Sequence, residues 1–448
     1  MKAIVVGGGV VGSTLAERLA ADGNDVILIE RSKDLAATLN DRLDVQVVSG
    51  NGATVPVLEE AGIASCDLIF ATTDSDEVNM VVALVASEIY KVPRVIARLR
   101  HPDHETGFRQ IAGSEVERLA INPEQAAVEK ILSLMPVPGA VDVVSFFSDE
   151  LLIAGFVVRP VSDVSGLLLS HLRLLFPATP VLVVALRRNG QWRVPHGDDE
   201  IVAGDLIYLA IDRSELENVL ALLGHHRGKE RRIMIAGASR IGVELARRLE
   251  EQETAVTLVE FSRDDAEAAA AGLERAMVIH GSPTDRELLR EEGADRVDGF
   301  VACTDTHEEN VVACLLARKL GAAHTFALVD NPALAGLISD LGIDALISPR
   351  LLSVGVALHY ARTGHVTRVA ALLDDAVEVF EAEIPATSRL AQATLADAGL
   401  PRGILVAAVQ RAGKIVVPGG GDRMEPGERV LLVTTRKLAS RIDDLLER

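Results

Sequence analysis

The sequence predicts an α/β chain built by tandem duplication: a parallel-sheet α/β unit followed by a small α+β domain, then the same pair again. Three observations carry this. Residues 1–30 read as strand, glycine-rich turn, helix and strand. That stretch recurs, with Gly7 matched by Gly237 and Glu30 by Glu260 at one and the same offset. The small domain recurs too: Val194-Pro195 pairs with Val417-Pro418 and Gly204-Asp205 with Gly427-Glu428, again at a common offset. This is the signature of a duplicated two-domain unit.

In the first unit, Ala3-Ile4-Val5-Val6 is a short apolar, β-branched run, as expected of a strand buried on both faces. Gly7-Gly8-Gly9-Val10-Val11-Gly12 follows directly and supplies G-x-G-x-x-G. Leu15, Leu19 and Ala20 recur at helical spacing, Asp22-Gly23-Asn24 stops the helix, and Val26–Ile29 is a second strand ending in Glu30. In a Rossmann-like unit each part has a task in holding a dinucleotide. Gly7 permits the tight turn, Gly9 lets a pyrophosphate approach the backbone, and Gly12 lets helix and strand pack closely. The helix start offers free N–H groups and partial positive charge to phosphate. Glu30 lies as far past Gly12 as the ribose-binding acid of such a unit should. It can accept both ribose hydroxyls and repel a 2′-phosphate, which favours NAD(H) over NADP(H).

The remaining elements follow in order. Ser32 to Leu43 is a helix and Val45–Val48 a third strand, running into Ser49-Gly50-Asn51-Gly52, a turn suited to lie under an adenine. Leu68–Ala71 is the fourth strand, and Thr72 to Asn79 opens a long apolar helix. At that strand's carboxyl end Thr73 and Asp74 are expected to face a ligand. Asp76 and Glu77 are equally readable as helix caps or as ligand contacts. Val95–Ala97 is the fifth strand and leads to Arg98, a candidate bidentate phosphate donor. Ala120 to Glu124 reads as a sixth strand passing into a helix with Pro123 in its first turn.

Pro136-Val137-Pro138-Gly139 breaks that helix and marks a hinge or boundary. Beyond it, Val141–Phe147, Leu151–Val158, Val181–Leu186 and Leu206–Ala210 are strands, with a short helix at Leu167–Leu174, a turn at Arg188-Asn189-Gly190 and a closing helix. His225 to Arg232 is a basic linker, read as a solvated segment before a membrane-surface contact. The expected boundaries are 1–138, 139–225, 226–362 and 363–448.

The second copy departs from the first where chemistry is at stake. Its turn, Gly237-Ala238-Ser239-Arg240-Ile241-Gly242, has Ser239 for the middle glycine, so a Cβ stands where a pyrophosphate would approach. The position matching Arg98 falls at or near Val329, removing a phosphate donor, and Arg240 could return that charge from another direction. Glu260, Thr304 and Asp305 match Glu30, Thr73 and Asp74. A weaker or differently selective second site, or a structural copy, is expected.

Composition narrows the function classes. A formal charge of −20 argues against a nucleic-acid surface, and an apolar fraction of 48% over 448 residues suffices for several cores. Three cysteines, none in C-x-x-C, suit a reducing cytoplasm. The chain opens directly on a strand, so no signal peptide is expected. No apolar run approaches the roughly 18 residues of a bilayer span, so any membrane role is expected to be peripheral. No nucleophile elbow, Walker lysine or obvious acid–base residue for a dehydrogenase appears. His101-Pro102-Asp103-His104-Glu105 is the densest ligand-like cluster, and it reads better as a helix start than as a metal site. An NAD-dependent oxidoreductase, which would change absorbance at 340 nm with substrate, and a scaffold with vestigial sites are the competing readings.

Taken together, the glycine turn, the acid, Gly50-Asn51-Gly52, Ala71-Thr72-Thr73-Asp74 to Asn79, Arg98 and Asn122-Pro123-Glu124, then a small β domain, all duplicated, resemble the TrkA family. These are cytoplasmic regulatory subunits of bacterial Trk potassium uptake systems, built from RCK (or KTN) N-terminal domains, each followed by an RCK C-terminal domain. The resemblance spans essentially the whole chain. It implies a regulator rather than an enzyme, binding NAD(H), with ATP or ADP taken by related domains. It implies a homo-oligomeric, tetrameric ring on the inner face of the cell membrane, against a TrkH- or TrkG-like potassium-translocating protein. It places Gly7, Gly8, Gly9, Val10 and Val11 at the pyrophosphate, Glu30 at the ribose, Thr73 and Asp74 in the cleft and Arg98 at phosphate. Ala238 to Gly242, Glu260, Thr304 and Asp305 are the implied second set. Asn51 stands where many relatives carry an acid. Nucleotide-driven movement of the small domains about Pro136–Gly139, and about the matching stretch near His359 to Gly364, is the implied mechanism.

Overall fold

The computed structural model describes residues 1–110, 116–160, 162–175, 181–225, 232–330, 342–361, 366–372, 376–439 and 441–447. Most of the basic linker, 226–231, and residues 362–364 of the second expected hinge lie outside this set. Contacts group the chain into two compact units: Met1–Ala127 with Ser348–Arg362, and Val128–Ile347 with Thr363–Arg448. Among the described residues no helix is long and apolar enough to cross a membrane.

The first unit is a doubly wound α/β layer. In chain order it holds β1 (Lys2–Val6), α1 (Val10–Ala21), β2 (Asp25–Glu30), α2 (Lys33–Arg42), β3 (Gln46–Ser49), α3 (Val55–Glu60), β4 (Leu68–Ala71), α4 (Asp76–Leu84), β5 (Arg94–Arg98), α5 (Pro102–Gln110) and β6 (Glu117–Ile121). The strands lie in the order β3-β2-β1-β4-β5-β6, all parallel. Strand residues alternate between two cores. Ile4, Val6, Ile69 and Ala71 pack with Leu58, Val82 and Phe108 on one face, and Ala3, Val5, Leu68 and Phe70 pack with Leu15 and Leu19 on the other. Burial of both faces explains why these strands read as unbroken apolar runs.

One helix departs from the sequence order. The helix Pro349–Ala361, expected to close the second nucleotide unit, completes the core of the first. Val354, Ala357 and Ala361 pack with Val11, Leu15 and Leu19 of α1. Arg94 at the start of β5 donates to the carbonyls of Tyr360 and Ala361, each at 3.0 Å.

The second unit begins within α6 (Pro123–Leu134) and holds three sheets. The strands β7 (Ala140–Phe146), β8 (Leu151–Val157), β9 (Val181–Arg188), β10 (Gln191–Arg193) and β11 (Leu206–Asp212), with α7 (Leu169–Leu175) and α8 (Leu216–Leu222), form the first small domain. Its sheet is antiparallel, in the order β10-β9-β11-β8-β7. Then β12 (Arg232–Ala236), α9 (Arg240–Glu251), β13 (Ala255–Glu260), α10 (Arg263–Gly272), β14 (Met277–His280), α11 (Arg286–Glu291), β15 (Gly299–Ala302), α12 (His307–Leu320), β16 (Thr325–Leu328) and β17 (Ala345–Ile347) repeat the parallel sheet. Its order, β14-β13-β12-β15-β16-β17, matches the first strand for strand. Numbering the helix Pro349–Ala361 α13, the last domain holds β18 (Val366–Ala371), β19 (Val377–Glu383), α14 (Arg389–Gln392), β20 (Ile404–Arg411), β21 (Lys414–Val416), β22 (Arg429–Thr435) and α15 (Arg441–Glu447).

The two small domains share one core. Phe146, Phe147, Ile153 and Tyr208 of the first pack with Val377, Val379, Leu431 and Val433 of the second. Glu381, 2% exposed, accepts from the Phe147 N–H at 3.1 Å and pairs with Arg429, whose guanidinium lies over the Phe147 ring at 5.5 Å. The expected first hinge is also packed. Val137 is buried, and a Cβ on Gly139 would fall 2.0 Å from the His225 ring.

Candidate nucleotide-binding site

The glycine turn closes β1 into α1. Gly7 has φ +106, a region a side chain would strain, and a Cβ on Gly12 would sit 1.8 Å from the Gly7 carbonyl oxygen. These two glycines therefore have the tasks read from the sequence. Gly9 is different in kind. It is the N-cap of α1 in extended backbone, it makes no side-chain cap, and a Cβ there would meet nothing within 4 Å. The space over Gly9 is open, and the first turn of α1, Val10 to Gly12, faces it.

Glu30, at the end of β2, holds the turn from below. Its Oε2 accepts from the Gly8 N–H at 2.7 Å and its Oε1 from the Ser32 N–H at 2.7 Å. An ionised carboxylate has further lone pairs for ribose hydroxyls. Asn51 Oδ1 accepts from the Ala53 N–H at 3.1 Å, so this side chain shapes the turn after β3.

Across the cleft, at the ends of β4 and β5, Asn79 organises the backbone. Its Oδ1 accepts from the Thr73 N–H at 2.9 Å and from the Thr73 hydroxyl at 2.7 Å, and its Nδ2 donates to the Arg98 carbonyl at 2.8 Å. Thr73 thus spends its hydroxyl on the loop, whereas the Asp74 side chain is 96% exposed. Arg98 Nη1 lies 3.4 Å from Asp74 Oδ1, while Arg98 Nε is buried without a hydrogen-bond partner. Arg100 donates to the Asp74 carbonyl oxygen, and Asn122 Nδ2 holds the Arg100 carbonyl at 3.3 Å.

Asp76 and Glu77 resolve towards structure. Asp76 Oδ2 accepts from the backbone N–H groups of Arg100 and His101, each at 2.9 Å, and lies 3.2 Å from His104 Nδ1. Burial works to raise its pKa, but the N–H of His101, the His104 ring and the N–H of Arg100 together hold the carboxyl below the usual range. Glu77 accepts from the Ser75 hydroxyl at 2.6 Å, and Ser75 caps α4. His101 to Glu105 form the start of α5, and among the described residues no group of three His, Cys, Asp or Glu side chains could hold a metal ion. Cys66 and Cys303 are buried thiols that desolvation pushes up to about 11 and about 12, and burial raises Cys314 as well. None is poised as a nucleophile.

The second cleft repeats the frame and closes the opening. Gly237 again has φ +106, and Glu260 accepts from the Ala238 and Ser262 N–H groups, each at 2.6 Å. Ser239 donates to the Cys303 carbonyl at 2.6 Å and accepts from the Gly242 N–H at 3.3 Å, capping α9 where α1 has no cap. Arg240 is the first residue of α9 and exposed, Ile241 is at the core's edge, and Asp305 is exposed. Thr304 is tied to Asn310 as Thr73 is to Asn79. Asn310 Nδ2 reaches the Leu328 carbonyl at 3.0 Å, as Asn79 reaches that of Arg98. The counterpart of Arg98 is therefore Leu328, next to Val329, because the second copy is shorter by a residue here. The phosphate donor is absent from it.

Sequence reasoning gave no role to two side chains that shape this cleft. Asn79 sets both loop ends, and its recurrence as Asn310 was the available signal. Arg100 follows Arg98 without a motif of its own.

Matches to known families agree with this geometry. The TrkA-N domain matches residues 3–118 and 233–349, and the TrkA-C domain matches 153–224 and 379–447. The "Trk system potassium uptake protein TrkA" of Azorhizobium caulinodans is 36% identical over 99% of this chain and 98% of its own. The chain belongs to the TrkA family. The protein of the same name from Vibrio alginolyticus is 32% identical over 100% of this chain and 99% of its own. TrkA-family relatives are named for potassium uptake rather than for a catalysed reaction. In fold, this TrkA-family chain is similar to the solved "GsuK channel bound to NAD", with a TM-score of 0.61 at 19% identity, over 99% of this chain and 78% of that one. The "Crystal Structure of the GsuK RCK domain" matches at 0.61 and 19%, covering 99% and 94%. The two sheet pairs are thus RCK N-terminal and C-terminal domains in duplicate.

Proposed function

We propose that this chain is the peripheral cytoplasmic regulatory subunit of a potassium uptake transporter, gating a TrkH- or TrkG-type membrane subunit through nucleotide binding. The observation that carries the reading is the open space over Gly9, faced by an uncapped helix start and flanked by Glu30 and Arg98, in a chain matched end to end by potassium uptake relatives. NAD(H) suits the Glu30 carboxylate, and ATP and ADP are the further candidates. One fold neighbour is described as bound to NAD.

The first cleft is the working site, while the second keeps the frame and lacks both the middle glycine and the arginine at the end of β16. A nucleotide shifts the assembly only by its difference in affinity for two arrangements. A homo-oligomeric, tetrameric ring is part of the proposal.

Calorimetric titration of the full chain with NAD+, NADH, ATP and ADP, alongside Gly9→Asp, tests it. Binding lost in the variant supports the first cleft, and no binding by any of the four supports a scaffold instead. Transport in vesicles holding both subunits is expected to depend on nucleotide with the wild type and not with Gly9→Asp or Arg98→Ala. Unchanged dependence would sink the reading.

A further inference from the structure

Three arginines gather at one end of the first cleft, and one of them comes from the other half of the sequence. Arg98 closes β5, Arg100 lies two residues beyond, and Arg350 stands in the first turn of α13.

The placement of α13 is set independently of any charge. Its last turn is tied to Arg94 at the start of β5, and its apolar face packs along α1. From Ala361 back to Arg350 the helix rises about 16 Å, while β5 from Arg94 to Arg98 spans about 13 Å. A helix anchored at the beginning of β5 therefore brings Arg350 level with the strand's far end. That is where Arg98 sits and where α1 begins uncapped. Electrostatics agree: the Arg98 guanidinium is held below its ordinary value first by burial, then by the positive charge of Arg100 and, more weakly, of Arg350, with Asp74 opposing. Arg98 Nε is buried without a partner, and Asp74, the carboxylate beside it, is almost fully exposed. Like charges held together this way favour an anion among them.

We propose that the second half of the chain completes the first nucleotide site: Arg350 joins Arg98 and Arg100 in holding the outer phosphate of a nucleoside di- or triphosphate. This rests on the nucleotide reading of the cleft and adds what selects among nucleotides. A terminal phosphate carries up to two charges and presents free oxygens to a guanidinium fork, whereas both phosphates of NAD are esterified and singly charged. Arg350 therefore favours ADP and ATP over NAD, and over AMP, whose one phosphate stops short of the outer position. Because α13 belongs to the chain's second half, a bound phosphate also ties the two halves of the sequence together in one site.

The test is titration of the full chain with AMP, ADP, ATP and NAD+ at low and high salt, for wild type, Gly9→Asp, Arg350→Gln and Arg350→Lys, with a thermal melt of each free protein. Gly9→Asp is expected to remove all binding. Arg350→Gln is expected to weaken ADP and ATP about tenfold, with a shallower salt dependence, and NAD+ and AMP by less than about threefold. Arg350→Lys is expected to recover part of the loss at an unchanged melting temperature. Equal weakening of all four nucleotides, or none, would overturn the role of Arg350 while leaving the cleft itself intact. Absence of binding in the wild type would overturn the nucleotide reading and this proposal with it.

Discussion

At Gly9 and Gly12 the same residue type answers to different physics. A Cβ on Gly12 collides with the Gly7 carbonyl, so Gly12→Ala must push α1 off β1 and is expected to cost about 1–3 kcal/mol, read by chemical denaturation. Gly9 has room for a side chain and sits at an N-cap, where aspartate is favoured. Gly9→Asp is therefore expected to melt no lower than the wild type while losing nucleotide, and a lowered melt would show that the turn needs glycine for folding. Asp76 supplies a pH prediction. Its folded pKa lies below its unfolded value, so its contribution is full at neutral pH and is lost as pH falls through the carboxylate range. Glu250, which accepts backbone N–H bonds from Arg275 and Ala276 against its own burial, acts with the same sign. Asp76→Asn is expected to flatten the acid limb of stability below about pH 5, measured as melting temperature against pH. Gly7 and Gly12 were legible because backbone geometry forces each of them. Asp76 was not, because its partners at 100, 101 and 104 meet it only once β5 lies beside β4.

At the scale of elements, the helix α13 carries the main departure from sequence order. Nothing local in its sequence says which sheet its apolar residues will cover. Residues 1–138 expressed alone would expose Val11, Leu15 and Leu19, which α13 otherwise buries. That fragment is expected to self-associate or melt several degrees lower than the same fragment carrying 348–362 on a flexible linker. Equal behaviour of the two would contradict the packing. Strands were easier to read than helix partners, since a strand buried on both faces announces itself in composition, as Leu68–Ala71 does.

For the whole molecule, the duplication was visible as constant offsets between matching residues, because glycine turns and Val-Pro and Gly-acid punctuation survive where side-chain chemistry has drifted. The shared core of the two small sheets was not visible. It depends on Phe147 meeting Glu381 and Arg429, which lie far from it along the chain yet bury against it. Phe147→Ala is expected to cost about 3–5 kcal/mol and to lower protection from hydrogen exchange in β19 and β22 together with β8 and β11. Loss confined to β8 and β11 would argue that the domains fold separately. By itself the sequence determined the element types, the repeat and the first glycine turn, since these rest on periodicity and on backbone conformations that only particular residues adopt. The tertiary structure alone decided which half supplies α13 and Arg350, that Ser239 caps its helix, and that the small domains share a core. Those outcomes depend on long-range burial, which no local pattern encodes.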